Sequence, residues 1–163
     1  MQVPPARPRA QRKADTLAKL RAREADVWTA SAASGDGTAA PYLVPLSLAW
    51  IDERVVIALE AGSRTAMNIL ESSVVRLGLG PTRDVVIIDA ELERAVPADR
   101  APPDLAGRYA AQAAWDPRGA PTPSDGSHGE YAYLVLRPIR IQAWREANEL
   151  AGRILMRHGS WIC

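Results

Sequence analysis

Strand-like runs rich in β-branched and apolar residues occupy 27–33, 41–51, 54–60, 74–80, 84–96 and 131–146, and most are separated by only a few residues. A parallel pair of strands needs a crossover of a dozen or more residues, so strands joined by shorter links run antiparallel. "GDGT" at 35–38, "DE" at 52–53 and "PTR" at 81–83 are such links, and each carries turn chemistry. The first five strands are therefore expected to form a meander, each beside the next. The run "RVVIALE" at 54–60 lacks the polar alternation of a half-exposed strand and should be buried on both faces. Helical periodicity intrudes in three places. "DTLAKLRAREADVW" from Asp15 predicts one short amphipathic helix. "GSRTAMNILESS" places Ala66, Met67, Ile69 and Leu70 at helical spacing behind Ser63, a good N-cap. The alanine-rich stretch 105–114 predicts a third. Six strands with so few helices exclude a doubly wound α/β sheet, which alternates strand and helix throughout. The fold class is mainly β, a six-stranded antiparallel barrel in which closure removes exposed edges.

At 163 residues the chain has room for one domain and a tail. Residues 1–14 combine Pro4, Pro5 and Pro8 with Arg7, Arg9, Arg12 and Lys13, a mixture expected to stay flexible, which leaves 15–163 as the folded domain. With 20 basic and 19 acidic side chains the net charge of +1 steers neither to nucleic acid nor to an anionic membrane. No long apolar run and no secretory h-region is present, so a cytoplasmic protein without membrane contact is expected. The single cysteine, Cys163, precludes an intrachain disulfide and reads as an inert terminal thiol.

The richest chemistry lies where the third strand meets its helix. "GSRTAMN" gathers two hydroxyls, an arginine and an asparagine around a helix N-terminus, where free N–H groups and the positive dipole end favour an anion. Ser63 and Thr65 offer hydroxyl donors, and Arg64 offers a planar, permanently charged fork suited to phosphate.

The order of "VWTASAASGDGTAAPYLVPLSLAW", "RVVIALEAGSRTAMNIL", "VVRLGLGPTRDVVIIDAELE" and "YLVLRPIRIQAWRE" resembles the split-barrel family related to pyridoxamine 5'-phosphate oxidase, whose members use FMN or the deazaflavin F420. The resemblance spans roughly residues 16–146 and implies a split β-barrel. It also implies a homodimer with the cofactor at the shared surface, and an oxidoreductase that transfers a hydride to or from a small-molecule substrate. By the same resemblance Ser63, Arg64, Thr65 and Asn68 fall at the cofactor phosphate. Val44, Pro45, Leu46 and Ser47, with Ala58 and Leu59, flank the ring. Pro45 suits this placement, because it interrupts ladder bonding and frees main-chain groups for a ring's polar edge. The family's lysine beside the phosphate is missing here, which argues against pyridoxamine phosphate oxidation itself. Arginine supplies nearly all the positive charge, Lys13 and Lys19 being the only lysines. That bias suits a high-GC bacterial source and tilts the choice toward F420, whose longer anionic tail Arg7, Arg9, Arg12, Arg21 and Arg23 would meet if the N-terminal segment folded over the site.

Other residues carry plainer readings. His128 and His158 lack metal-ligand spacing and read as surface histidines, and no metal site is expected. Trp115, Asp116 and Arg118, with Trp144 and Trp161, are candidates for a substrate opening. Arg83 and Asp84 read as an ion pair across a turn. Two rival functions stand beside the redox reading. One is a split barrel that binds flavin or a tetrapyrrole such as haem or biliverdin without turnover. The other is a small nucleic-acid barrel gripping phosphates with the seven basic residues of 1–25, disfavoured by the absence of exposed stacking aromatics.

Overall fold

The computed structural model describes residues 3–33, 40–120 and 130–163. In chain order these form α1 (Arg9–Arg21), β1 (Asp26–Ser31), β2 (Tyr42–Ile51), β3 (Arg54–Glu60), α2 (Arg64–Ser72), β4 (Val74–Leu79), β5 (Val85–Pro97), α3 (Pro103–Ala113), β6 (Tyr131–Trp144), β7 (Ile154–Arg157) and β8 (Ser160–Trp161). All pairings are antiparallel, in the order β3-β2-β1-β4-β5-β6, and β3 pairs again with β6 to close a six-stranded barrel. The mainly β class and the barrel are as expected; the five-strand meander is not. After β3, α2 crosses one end of the barrel over about 13 Å, and β4 pairs with β1 instead of β3. The hairpin turn expected at 35–38 lies outside the described residues.

Two apolar layers hold the fold. The barrel interior packs Leu48, Ile57, Leu77, Ile88, Leu134, Leu136 and Ile141, with Ile69 of α2 plugging the end it crosses. A second layer lies outside the barrel, where α3 covers Ala49, Ile51, Val56, Ala58, Tyr133 and Val135 with Leu105, Ala106 and Tyr109. This second layer is why β3 is buried on both faces. Two bulges let long strands bend around the closure: the β5–β6 register shifts at Asp89/Ala90, opposite Pro138–Arg140, and at Leu92/Arg94.

The N-terminal segment departs most from expectation. The helix starts at Arg9 rather than near Asp15, and Arg7 and Arg12 tie its start to the rest of the chain. Arg7 donates from Nε and Nη2 to Glu149 at 2.8 and 2.7 Å, and from Nη1 to Asp15 at 2.6 Å. Arg12 is buried and donates to the Glu149 carbonyl at 3.0 Å. Asp84 joins this cluster through Lys19 at 2.9 Å and Arg145 at 3.2 Å. Asp84 therefore pairs with these groups and not with Arg83, which reaches Glu146 at 2.9 Å. Past Trp144 the chain turns through β7 and β8, joined at His158–Gly159 with φ of 49° and 76°.

Gly80, with φ of +83°, ends β4 and sets the turn that presents Asp84. A Cβ there would lie 2.5 Å from the Asp84 carbonyl oxygen, a backbone atom that cannot swing aside. Gly80→Ala is expected to lower stability by about 2 kcal/mol, read as a lower urea midpoint at unchanged m-value.

Candidate functional site

Barrel closure leaves a split. β2 pairs with β3 only over Leu48–Ile51. Beyond Ile57, residues Ala58, Leu59 and Glu60 pair with β6 alone, while the first half of β2 keeps only β1 as a partner. Pro45 lies in that one-sided half, where a missing N–H costs no ladder bond on the open side. The two strands thus diverge toward α2, and a cavity of about 250 Å³ fills the gap. Its lining is Tyr42, Val44 and Leu46 from β2, Leu59 and Glu60 from β3, and Ser63, Arg64 and Thr65 from the start of α2.

The first turn of α2 faces this cavity with donors to spare. Ser63 caps the helix, its Oγ accepting from the Ala66 N–H at 3.3 Å and its carbonyl accepting from Met67 at 2.9 Å. The amides of Arg64 and Thr65 have no partner among the described residues. Thr65 is only 2% exposed, yet its hydroxyl makes no hydrogen bond among them. The Arg64 guanidinium lies over the Tyr42 ring, 5.6 Å from its centroid, a cation–π contact that fixes the stem and leaves the N–H fork free. One end of the cavity is thus a cluster of unpaired donors and the other an apolar strip of Val44, Leu46 and Leu59. Glu60 is the one acidic residue among the described lining and opposes an anion.

Of the ten residues expected at the site, the cavity brings together six: Val44, Leu46, Leu59, Ser63, Arg64 and Thr65. The other four point elsewhere. Pro45 faces a different hollow beside Trp28. The Ser47 carbonyl accepts from Tyr109 at 3.2 Å, and its hydroxyl donates to Asp26 at 3.3 Å. Ala58 belongs to the layer under α3, and Asn68 is buried, donating to the Ser31 hydroxyl at 3.2 Å. Strand alternation explains the first three, because successive side chains take opposite faces. Two lining residues were missed, Tyr42 and Glu60. Tyr42 has the same parity as Val44 and Leu46, so period two alone identifies it.

The arginines expected to fold over the site do not line it. Arg7, Arg9 and Arg12 are engaged with Glu149, the Gly152 carbonyl and the Glu149 carbonyl, while Arg21 and Arg23 line a groove at the other end of β2. Nor do the tryptophans form an opening. Trp115 meets Tyr109 and Tyr131 edge-on, Asp116 is closed on Arg118 at 2.6 Å, Trp144 lies against Arg153 and Trp161 against Lys13. His158 lies in the β7–β8 turn, and His128 is outside the described residues. No helix among the described residues is long and apolar enough to cross a membrane.

A larger cavity lies elsewhere. About 540 Å³ opens on the outer face of β1, β4 and β5, lined by Ala30, Ala32, Pro41, Val74 and the Arg76–Asp89 pair, whose atoms are 2.6 Å apart. It is mostly apolar, with its charged groups already paired, and it belongs to a sheet face that no other described element covers. Trp28 (54% exposed), Leu43 (58%) and Val74 (55%) stand out on that face.

No protein-family model matches the sequence, and comparison with curated proteins finds no match. Solved structures do match. A conserved hypothetical protein of Mycobacterium tuberculosis is 16% identical, with a TM-score of 0.60 over 91% of each chain. An F420 reductase is 14% identical, with a TM-score of 0.56 over 76% of this chain and 94% of that one. The barrel closure and these superpositions agree. The fold is the split barrel. A haem-binding protein from Mycobacterium smegmatis shares it at 17% identity and a TM-score of 0.56, over 94% of this chain and 59% of that one. Within the split barrel, the cavity between β2, β3 and α2 is the place where strand divergence, free helix amides and a free guanidinium coincide.

Proposed function

We propose that this split barrel holds the phosphate of a flavin or deazaflavin on Arg64, Thr65 and the first amides of α2. In this reading the ring lies toward Val44, Leu46 and Leu59, and the protein is an oxidoreductase acting on a small organic substrate. The observation that carries the reading is the set of unpaired donors at Arg64 and Thr65 facing an apolar strip. Donor chemistry of this kind fits a phosphate monoester or diester, and the strip fits a flat conjugated ring. The bound cofactor supplies hydride transfer; the chain supplies position, exclusion of water and charge compensation. F420 and FMN both meet these terms, since each carries a phosphate and a flat ring, and the arginines that would have met the longer tail of F420 lie elsewhere. Titrating purified protein with F420 and with FMN under anaerobic conditions, followed by fluorescence, tests this. One cofactor bound per subunit is the expected result, and no binding of either ends the proposal. A reduced cofactor that stays reduced with every acceptor offered would instead make the protein a carrier.

A cavity of about 250 Å³ lies just below the usual range for ligand pockets, roughly 300 Å³ and upward, and it is open on one side. In this reading a homodimer forms through Trp28, Leu43 and Val74, on the face of β1, β2 and β4 turned away from the cavity, since a two-fold dimer matches one apolar patch with its copy. Trp28→Arg is expected to convert the dimer to monomer in light scattering. A monomeric wild type would remove this part. The likeness to a haem-binding protein raises a tetrapyrrole as the second reading. The cavity offers Tyr42 as a ligand of the kind haem iron takes, but no histidine, cysteine or methionine.

A further inference from the structure

We infer that the groove formed by the end of α1, the end of β2 and α3 is a second ligand site, for a phosphate monoester carried on an apolar body. The groove has a volume of about 380 Å³, and Arg21, Arg23 and Arg108 stand around Trp50 with no acidic residue in the lining. The charges are not spent internally. Arg21 has no ion pair among the described residues, and the contact of Arg23 with Glu24 is a loose 3.8 Å between exposed groups. Arg108 is the exception: Asp52 holds it by two hydrogen bonds of 2.9 and 3.0 Å and Asp104 lies at 3.5 Å, so the charge open to a ligand is that of Arg21 and Arg23. An exposed arginine pair such as these has little stabilising role in the fold.

The walls are fixed without any ligand. The Gln112 Oε1 accepts from the Trp50 N–H at 2.9 Å, its Nε2 donates to the carbonyls of Leu20 and Ala22 at 2.7 and 3.2 Å, and its own carbonyl accepts from Glu24 at 2.8 Å. One side chain thus joins three elements. It also covers carbonyls at the negative end of α1 that would otherwise repel an anion. Trp50 belongs to the barrel core and is 9% exposed, and its indole N–H is unpaired among the described residues, so the floor, shared with Ile51 and Ala111, offers an apolar edge with a donor. Arginine charge, apolar floor and single donor together select an anion with an apolar part over a bare ion. The site is independent of the one beside α2, because Val44 and Trp50 are six residues apart on β2, about 20 Å along the strand.

The test uses the full chain labelled with 15N, with phenyl phosphate and inorganic phosphate as probes. The expected result is that phenyl phosphate shifts the Trp50 indole and Gln112 amide signals and binds at least tenfold more tightly than inorganic phosphate. Arg21→Ala with Arg23→Ala should weaken the affinity read at those two signals at least tenfold, while Arg64→Ala, which acts on the cavity beside α2, should leave the affinity read there unchanged. Loss of binding in Arg64→Ala, equal affinity for the two probes, or no effect of the paired substitution would each overturn the inference. Cofactor titration of the same variants keeps this site separate from the one proposed beside α2.

Discussion

Glu149→Ala is expected to destabilise the fold by about 3 to 5 kcal/mol, the largest effect of any single polar substitution in this chain. Glu149 is 2% exposed and accepts from the Arg7 backbone and guanidinium and from the Arg145 amide at 2.8 Å. Removing it leaves the Arg7 guanidinium, itself 10% exposed, without its main counter-charge, and unties the N-terminal segment from the turn after β6. Arg7 keeps Asp15 at 2.6 Å and Asp84 at 3.2 Å, so the cost is that of a guanidinium losing its bidentate partner and of the Arg7 and Arg145 amides losing their acceptor. Glu149→Gln keeps an acceptor for those amides and should recover part of the loss. Urea midpoints of the two variants check this; equal destabilisation by both would contradict it.

The same cluster gives a pH dependence of definite sign. The hydrogen bond from Arg7 holds the Glu149 carboxyl down to about 2, against the opposing effect of burial. Burial raises Asp84 and Asp15, but hydrogen bonds from Lys19 and Arg145, and from Arg7 and Gln11, outweigh it and leave both lowered. Each folded-state value lies below its unfolded one, so the unfolded chain takes up protons first. Stability is complete above the ordinary carboxylate range, falls as the pH drops through it, and for Glu149 goes on falling to about 2. Glu149→Gln should flatten this slope between roughly pH 4.5 and 2. A wild-type midpoint that does not change over that interval would show that the cluster contributes nothing.

The barrel was legible because its signal is local. Alternation in β1, the doubly apolar run of β3 and the change to helical period at Ser63 are each set within a few residues. What was misread depends on distance or on parity. Arg7 and Arg12 look solvated in a proline-rich stretch, and their partner Glu149 is 142 residues from Arg7. The path of α2 across the barrel end, which places β4 beside β1, has no local signature at all. The β7–β8 hairpin did carry one, since His158–Gly159 is a two-residue turn of the kind that favours φ above zero. At the candidate site, reading residues 44–47 as one block ignored the pleat, which gives the cavity Val44 and Leu46 and turns Pro45 and Ser47 away. Asn68 shares a helix with Arg64 and Thr65 but sits a turn further on, where α2 packs on β1 and its amide meets Ser31.

Arg64→Ala combined with Thr65→Val is expected to weaken cofactor binding by about 3 kcal/mol, roughly two orders of magnitude in Kd, with the fold intact. Arg64 is exposed and, among the described residues, its side chain is held only by the Tyr42 ring, so its loss costs the folded protein little. Thr65→Val preserves shape in a buried position whose hydroxyl has no partner among the described residues, so stability should hold or rise. Both changes remove donors that an anion alone would use, and charge-assisted hydrogen bonds are the strong ones. Glu60→Gln supplies the opposite sign. It removes the one carboxylate in the lining and should tighten binding of the same cofactor severalfold, because the repulsion acts only when the phosphate is present. A ligand anchored by its ring alone would respond to neither substitution. A cationic ligand would reverse both signs. Kd values for wild type, the double variant and Glu60→Gln, measured at low and high salt, separate these cases, since screening should narrow the differences only where charge is the cause.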